Sequence, residues 1–269
     1  MTIVLVILVV LAVLYLLATR CRCDHPGMEA LRGWSYAHRG LHGEGVPENS
    51  MKAFRLALEA GYGIELDIHL LKDGNLAVIH DSLLVRTTGA EGHIEDLTTE
   101  DLKTYTLEGT EETIPQFKEV LDLFDGKAPL IVELKAERGN HAALTETAVK
   151  MLEAYDGVYC IESFDPRCIL WLKKNRPEII RGQLSQNFVK KNENLSLVLR
   201  IALTHLLTNF LTVPDFVAYN FAHRKDTGAN TICRKFWKGQ GVSWTLRTKE
   251  EYDQAVKEGL LPIFEHFRP

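Results

Sequence analysis

Side chains able to carry acid–base and metal chemistry occur in pairs along the first half of this 269-residue chain. Two of the pairs join neighbouring residues, and the other two join residues separated by one position. Residues two apart on a β-strand point to the same side of the sheet, so such a pair acts at one place. The pairs are His38–Arg39, Glu65–Asp67, His80–Asp81 and Glu133–Lys135.

Together these residue types favour cleavage of a phosphodiester. Two carboxylates on one strand and a third on another suit an oxygen-ligated divalent cation, Mg²⁺ or Ca²⁺, which polarises a phosphoryl oxygen. Two imidazoles titrating near neutral pH are able to share the base and acid roles. A guanidinium fork and an ammonium group bind phosphate oxygens. We therefore predict Glu65, Asp67 and Glu133 as metal ligands, His38 and His80 as the acid/base pair, and Arg39 and Lys135 at the phosphate.

Each pair alone has a plainer explanation. A Glu-x-Asp pattern usually marks an exposed strand face, a histidine at a strand end is usually structural, and a Glu-x-Lys pattern is commonly a surface ion pair. The functional interpretation depends on all the pairs falling at strand ends.

The pattern of strands and helices around these residues predicts a (β/α)8 barrel over residues 35–269. Short apolar runs alternate with helical patterns there, and eight of the runs are candidates for parallel strands. The run Leu76–His80 is the exception, because the turn Asp73-Gly74 joins it to the preceding strand as a hairpin. Residues 82–114 are polar and mixed, which predicts a small insertion. In barrels of this kind the active site lies at the carboxyl ends of the strands. We therefore expect the reactive pairs at that end.

Residues 1–19 carry no charged side chain, and Ile3–Ala18 is one apolar run. As a helix this segment spans roughly 28 Å, which predicts a transmembrane anchor followed by a polar linker over residues 20–34. A signal peptide lacks support because no Lys or Arg precedes the run. Arg20 and Arg22 follow it, so the positive-inside rule predicts a single-pass membrane protein with a cytoplasmic catalytic domain.

Composition narrows the partners further. A net charge of −5 argues against nucleic acid, whose binders are usually basic. Five cysteines form no even disulfide framework, in agreement with a reducing compartment. The segment Leu195–Phe210 is unusually apolar for the outside of a barrel, which fits either a helix buried under its neighbours or a patch facing a bilayer.

The ordered motifs of this chain resemble those of the glycerophosphodiester phosphodiesterase family. The motifs are His38-Arg39-Gly40, Pro47-Glu48-Asn49-Ser50, Glu65-Leu66-Asp67, Lys72-Asp73-Gly74, His80-Asp81, Ile114-Pro115, Glu133-Leu134-Lys135 and Ser163-Phe164. The resemblance implies a (β/α)8 barrel that uses a divalent cation to hydrolyse glycerophosphodiesters to sn-glycerol 3-phosphate and an alcohol. It also implies that Glu48, Asn49 and Asp81 support the site and that Trp244 lines the pocket.

Two segments depart from the family pattern, Trp244–Arg247 and Glu265–Pro269, and they affect the expected specificity rather than the reaction. Two other functions stay open: lysophospholipase D cleavage of membrane lysolipids, and a non-catalytic barrel that binds lipid headgroups. Attack by water and attack by the neighbouring glycerol hydroxyl through a cyclic phosphate are both compatible with these residues.

Overall fold

The structure is a computed structural model that describes residues 2–192 and 195–269. Within these residues the β-strands form one sheet. In chain order they are β1 (Tyr36–His38), β2 (Gly63–Leu70), β3 (Leu76–Val78), β4 (Leu130–Leu134), β5 (Tyr159–Ser163), β6 (Arg181–Ser185), β7 (Phe216–Asn220), β8 (Gln240–Leu246) and β9 (Leu261–Phe264).

The sheet closes into a barrel of eight parallel strands. Strand β1 pairs in parallel with β2 on one side and with β9 on the other, which joins the two ends of the sheet. Strand β3 lies outside the barrel, antiparallel to β2, with Ile68 opposite Val78. The predicted barrel and the separate hairpin arm are therefore confirmed.

Helices cover the outside of the barrel. The α-helices are α1 (Thr2–Ala18), α2 (Met28–Leu31), α3 (Met51–Glu59), α4 (Val85–Thr88), α5 (Phe117–Phe124), α6 (His141–Leu152), α7 (Pro166–Asn175), α8 (Phe188–Lys191), α9 (Leu197–Thr204), α10 (Asn209–Thr212), α11 (Gly228–Lys235) and α12 (Lys249–Lys257). Short 3₁₀ turns occupy Ile94–Asp96, Asp101–Thr104 and Phe221–His223.

Helix α3 illustrates how the sequence fixes these elements. Ser50 is its N-cap, and the Ser50 hydroxyl accepts a hydrogen bond from the backbone N–H of Ala53 at 3.1 Å. Ala53, Phe54 and Ala57 form the buried stripe of the helix, at the spacing of one helical face. Gly40 has φ +80°, and a Cβ there would lie 2.8 Å from the Cβ of Ala53, so the turn after β1 approaches α3 in a way that only glycine allows.

Residues 82–114 contain α4 and two of the 3₁₀ turns, and they form a small apolar cluster beside β3. Leu84, Ile94, Leu102 and Leu107 are buried in it. This segment follows the hairpin and lies beside the carboxyl end of β2, so it forms part of the rim of the barrel.

Residues 20–34 run across the amino ends of the strands. Met28 and Leu31 of α2 are buried in the apolar cluster at that end of the barrel. Arg22 forms a bidentate ion pair with Asp215 and donates to the carbonyl of Pro177 at 2.9 Å. The segment predicted to be a polar linker therefore packs against the base of the barrel.

The predicted transmembrane anchor over residues 1–19 is not supported. The described helix there, α1, has 17 residues. At about 1.5 Å per residue it is shorter than the roughly 30 Å hydrocarbon core of a bilayer. Among the residues that the structure describes, no helix has the length and apolar character needed to cross a membrane.

The apolar segment predicted as one helix over Leu195–Phe210 is two helices, α9 and α10. Leu206, between them, has φ +55°, which turns the chain out of the helical path. Leu203 and Thr204 are buried, whereas Leu197, Val198 and Ile201 are exposed. Only the last turn of α9 packs under its neighbours.

Candidate active site

The predicted reactive residues converge on one cavity at the carboxyl ends of the strands. His38 ends β1, Glu65 and Asp67 lie on β2, Glu133 lies on β4, and His80 follows β3. The cavity holds about 30 Å³ and is lined by His38, Arg39, Glu65, His80, Glu133, Glu162, Phe164, Leu184, Trp244 and Ile263. The sequence spacing therefore identified the end of the barrel at which these groups meet.

Three carboxylates form the centre of this site. Glu65, Asp67 and Glu133 each offer an oxygen, and these oxygens all lie within 4.8 Å of one another. Burial, with the nearby Asp67 and Glu133 charges, holds the pKa of Glu65 well above its usual range. Burial also raises the pKa of Glu133, although Lys135 opposes this rise. An oxygen-ligated divalent cation would relieve this concentration of negative charge, so the donor set fits such an ion.

Asp67 differs from the other two carboxylates because cations surround it. Burial alone would raise its pKa, but Lys135, His80 and Arg39 hold it well below the usual range. Lys135 Nζ lies 3.0 Å from Asp67 Oδ1, and the amide of Asn49 donates to Asp67 Oδ2 at 2.8 Å. Asp67 is therefore ionised in the folded chain without any added ion.

The two cations of the site are held in place by carboxylates. Lys135 also pairs with Glu133 at 2.7 Å, and Arg39 donates to Glu48 at 2.9 Å. Glu48 accepts a second hydrogen bond from Arg86 at 2.6 Å, and Arg86 pairs with Asp81. The predicted supporting residues thus connect the arginine of the first motif to the loop that carries His80.

His38 is held by a carboxylate from the last strand. Its Nδ1 donates to Glu265 Oε2 at 2.5 Å, and its Nε2 lies 3.8 Å from Glu65 Oε2. Burial lowers the pKa of His38 to about 4, although the Glu265 hydrogen bond acts in the opposite direction. Arg247 Nη2 contacts the other oxygen of Glu265 at 2.5 Å. His38 is therefore neutral at neutral pH, with Nε2 directed to the cavity.

His80 has a similar arrangement but is more exposed. Its Nδ1 donates to Asp81 Oδ1 at 2.6 Å, and its side chain is 31% exposed. The hydrogen bond from His80 and the ion pair with Arg86 lower the pKa of Asp81, and burial opposes them. The ring of His69, behind this loop, donates from Nε2 to the backbone carbonyl of His80 at 3.1 Å and contacts Glu95 at 2.6 Å. Each predicted acid/base histidine thus has a carboxylate at Nδ1, and among the described residues neither Nε2 has a hydrogen-bond partner within 3.5 Å.

Sequence reasoning missed three residues of this site. Glu162, on β5, lies beside Glu133 in the strand register and lines the cavity. Burial and the Glu133 charge raise the pKa of Glu162 well above its usual range. Glu265 lies in the segment that departs from the family pattern, and no motif of the sequence singles out His69. A signal for Glu162 was available, because the motif Ser163-Phe164 follows it directly at the end of a strand.

A wider cleft leads from the cavity to the surface. It holds about 630 Å³, and its walls include His80, Arg86, Lys135, Phe164 and Phe188. Phe164 packs edge-to-face on Trp244 with 5.6 Å between ring centres, and Trp244 Nε1 donates to the carbonyl of Ala218 at 3.1 Å. Trp244 therefore lines the cavity with its ring held in place, and its role towards a substrate stays a prediction.

Comparison with known proteins gives one consistent result. The profile of the glycerophosphoryl diester phosphodiesterase family matches residues 38–267. A glycerophosphodiester phosphodiesterase of Caldanaerobacter subterraneus subsp. tengcongensis is 31% identical over 237 residues, covering 83% of this chain and 90% of its own length. A lysophospholipase D of Rattus norvegicus is 33% identical over 132 residues, which is 44% of this chain and 40% of that protein.

A solved structure shares the fold. It is an Oleispira antarctica phosphodiesterase in complex with the product sn-glycerol-3-phosphate, which superposes with a TM-score of 0.69 at 23% identity. The match covers 86% of this chain and 92% of that one. At this identity the likeness concerns the fold.

Proposed function

The chain belongs to the glycerophosphoryl diester phosphodiesterase family, and from this premise we propose how its cavity cleaves the substrate. It is a phosphoric diester hydrolase that hydrolyses glycerophosphodiesters, and sn-glycerol 3-phosphate and an alcohol are the products. The observation that carries the mechanism is that three carboxylates, two cations and two carboxylate-held histidines meet at or directly behind the wall of one cavity.

Glu65, Asp67 and Glu133 would hold a divalent cation, for which we propose Mg²⁺ or Ca²⁺ because all three donors are carboxylate oxygens. When bound, the ion supplies positive charge that polarises a phosphoryl oxygen. Arg39 lines the inner cavity and Lys135 lines the cleft that opens from it, and their positive charges would bind the remaining phosphate oxygens. Glu48 and Asn49 keep Arg39 and Asp67 in position through the hydrogen bonds described above.

His38 acts as the general base in this proposal. Its lowered pKa leaves Nε2 without a proton at neutral pH, and Nδ1 is committed to Glu265. Nε2 is therefore able to take a proton from the attacking group as its oxygen approaches phosphorus. Attack by water gives sn-glycerol 3-phosphate directly, whereas attack by the neighbouring glycerol hydroxyl gives a cyclic phosphate that water then opens to sn-glycerol 3-phosphate. The carboxylate of Glu265 stabilises the imidazolium that results.

His80 acts as the general acid. It lies at the junction of the inner cavity and the outer cleft, so the leaving alcohol would depart past it. Asp81 at Nδ1 stabilises the protonated ring, and Nε2 then delivers a proton to the leaving oxygen.

The reaction is tested by measuring products from a panel of glycerophosphodiesters, with chelator and with each divalent ion added back. We expect glycerol 3-phosphate and a free alcohol, loss of turnover with chelator, and recovery with Mg²⁺ or Ca²⁺. Release of free glycerol with a phosphorylated headgroup would contradict the proposal. So would an absence of turnover with every ion, accompanied by no effect of His38→Ala.

The role of Glu265 gives a separate prediction. Glu265→Gln keeps a hydrogen-bonding side chain but removes the charge at His38 Nδ1, so kcat should fall by about 10- to 100-fold with little change in KM. The pH–rate profile should also change, because the imidazolium loses its counter-ion. The matched control is Glu258→Gln, which alters the ion pairs of the residue that follows α12, remote from the cavity. An unchanged pH profile in Glu265→Gln would contradict the positioning role.

Lysophospholipase D activity is a second candidate, favoured by the wall of the cleft. Leu83 and Val85 line the cleft and are 52% and 55% exposed, and Phe164 and Phe188 lie opposite. Such a wall suits the acyl chain of a lysolipid. The relative turnover of lysophosphatidylcholine and glycerophosphocholine separates the two candidates.

A further inference from the structure

We propose that this protein docks on a lipid surface through α1 and α9, with the mouth of its active-site cleft facing the lipid. The inference depends on the position and exposure of these two helices. It does not depend on the reaction assigned to the cavity.

The contacts of α1 determine its direction. Near its end, the carbonyl of Thr19 accepts from Cys233 Sγ at 3.2 Å, beside the last turn of α11. One turn earlier, the hydroxyl of Tyr15 hydrogen-bonds His205 Nδ1 at 2.9 Å. His205 directly follows α9. The carboxyl end of α1 therefore lies beside α11, and the helix points from there towards α9.

Helix α9 lies at the level of the carboxyl ends of the strands. The hydroxyl of Ser185, the last residue of β6, donates to the carbonyl of Leu203 at 2.8 Å. Tyr219, next to the end of β7, donates to the carbonyl of Thr204 at 3.0 Å. The catalytic cavity opens at the same end of the barrel. From Tyr15 to Thr2, α1 extends for roughly 20 Å beyond its contact with α9.

The projecting part of α1 is apolar on every side and has no buried residue. Its large apolar side chains are exposed at levels between 48% at Val13 and 76% at Ile3. An amphipathic helix that packs on a protein has one apolar stripe, whereas a helix that is apolar all round belongs in a core or in lipid. The surface of the barrel covers only its last turn.

Helix α9 adds a second apolar surface beside the cleft. Val198 is 79% exposed, and Leu197, Leu199 and Ile201 are also exposed. Helix α8 connects this surface to the cleft, because Phe188 lines the cleft and α8 packs against α9. On the other side of the cleft, Leu83 and Val85 are exposed. The mouth therefore lies between apolar side chains that point into solvent.

A lipid surface fits these features better than a second copy of the chain. A dimer formed through α1 would cover one stripe of the helix and leave the others exposed. The charged residues of α8 and α9 are all basic, and because Lys190 is paired with Asp226 at 2.9 Å, Lys191 and Arg200 are the two that would meet headgroups. Basic side chains next to an apolar face complement anionic headgroups, and the apolar face enters the acyl boundary. For this docking, α1 has to be buried in the lipid surface but does not have to cross the bilayer.

The test uses the full chain and vesicles of phosphatidylcholine, with and without phosphatidylglycerol. An environment-sensitive fluorophore is attached at Val198→Cys or, as the matched control, at Val256→Cys on α12, near the opposite end of the barrel. Both positions are exposed, and both variants carry Cys23→Ser, because Cys23 is the exposed cysteine among those that the structure describes. We expect the label at position 198 alone to shift to shorter wavelength on vesicles, and more strongly when phosphatidylglycerol is present.

Sedimentation with vesicles gives the second measurement. Val198→Asp should weaken binding by about tenfold, whereas Val256→Asp should leave it unchanged. Equal responses at the two positions, or no response at position 198, would overturn the proposal. A shift at position 198 that depends on protein concentration without vesicles would also overturn it and would indicate self-association.

Discussion

We expect His80→Ala to lower kcat on glycerophosphocholine by about 10²- to 10⁴-fold and to have little effect on kcat for an aryl diester. An alkoxide leaving group needs a proton as its bond to phosphorus breaks, whereas a nitrophenolate departs without one. If His80 supplies this proton, the loss should depend on the leaving group. The measurement is kcat for both substrates at saturating metal.

His38→Ala is the comparison that separates the two histidines. A general base is needed whatever the leaving group, so this variant should lose a similar factor on both substrates. His25→Ala, at the other end of the barrel, serves as the control and should match the unmodified protein. Equal losses in His80→Ala on both diesters would contradict the acid assignment, and a leaving-group dependence in His38→Ala would reverse the two roles.

Glu65→Gln and Asp67→Asn should change the stability of the metal-free protein in opposite directions. The pKa of Glu65 is raised by burial and by its acidic neighbours, so its ionised form destabilises the folded chain at neutral pH. Removing that charge should raise Tm by roughly 2–4 °C for each kcal/mol recovered. The pKa of Asp67 is lowered by Lys135, His80 and Arg39, which outweigh its burial, so its loss should reduce Tm.

The same pKa shifts predict how the stability of the metal-free protein depends on pH. The contribution of Asp67 is present above the pKa of an unfolded aspartate and is lost as the pH falls through its lower folded value. The penalty at Glu65 disappears on acidification because its folded pKa is the higher one. Thermal unfolding between neutral and acidic pH, without metal, measures both effects, and Glu111→Gln on the surface is the control.

Metal addition separates ligand loss from simple destabilisation. A divalent ion that binds the folded state stabilises it by RT ln(1 + [L]/Kd), so Tm of the unmodified protein should rise when the ion is added. Glu65→Gln and Asp67→Asn should lose most of that gain, and Glu111→Gln should keep it. A full metal-induced gain in Glu65→Gln would show that Glu65 is not a ligand.

The barrel and the inner site were predictable because their signals are local in the chain. Side-chain alternation on a strand places Glu65 and Asp67 on one side, and the tight turn at Asp73-Gly74 returns the chain so that His80 lies near them. The rule that reactive groups gather at the carboxyl ends of parallel strands then supplied Glu133, Lys135 and His38. These statements need only the period of a strand and the direction of the sheet.

The sequence by itself thus determined the fold class, the end of the barrel at which the reactive side chains meet, and the acidic, basic and imidazole groups found there. Tertiary structure decided which partner each group has. The carboxylate at His38 comes from Glu265, which is 227 residues further along the chain and reaches His38 only because β9 closes the barrel against β1. Pairing of β9 with β8 places Arg247 at Glu265. The physical reason is that strand alternation acts over a few residues, whereas closure of the sheet joins residues at opposite ends of the sequence.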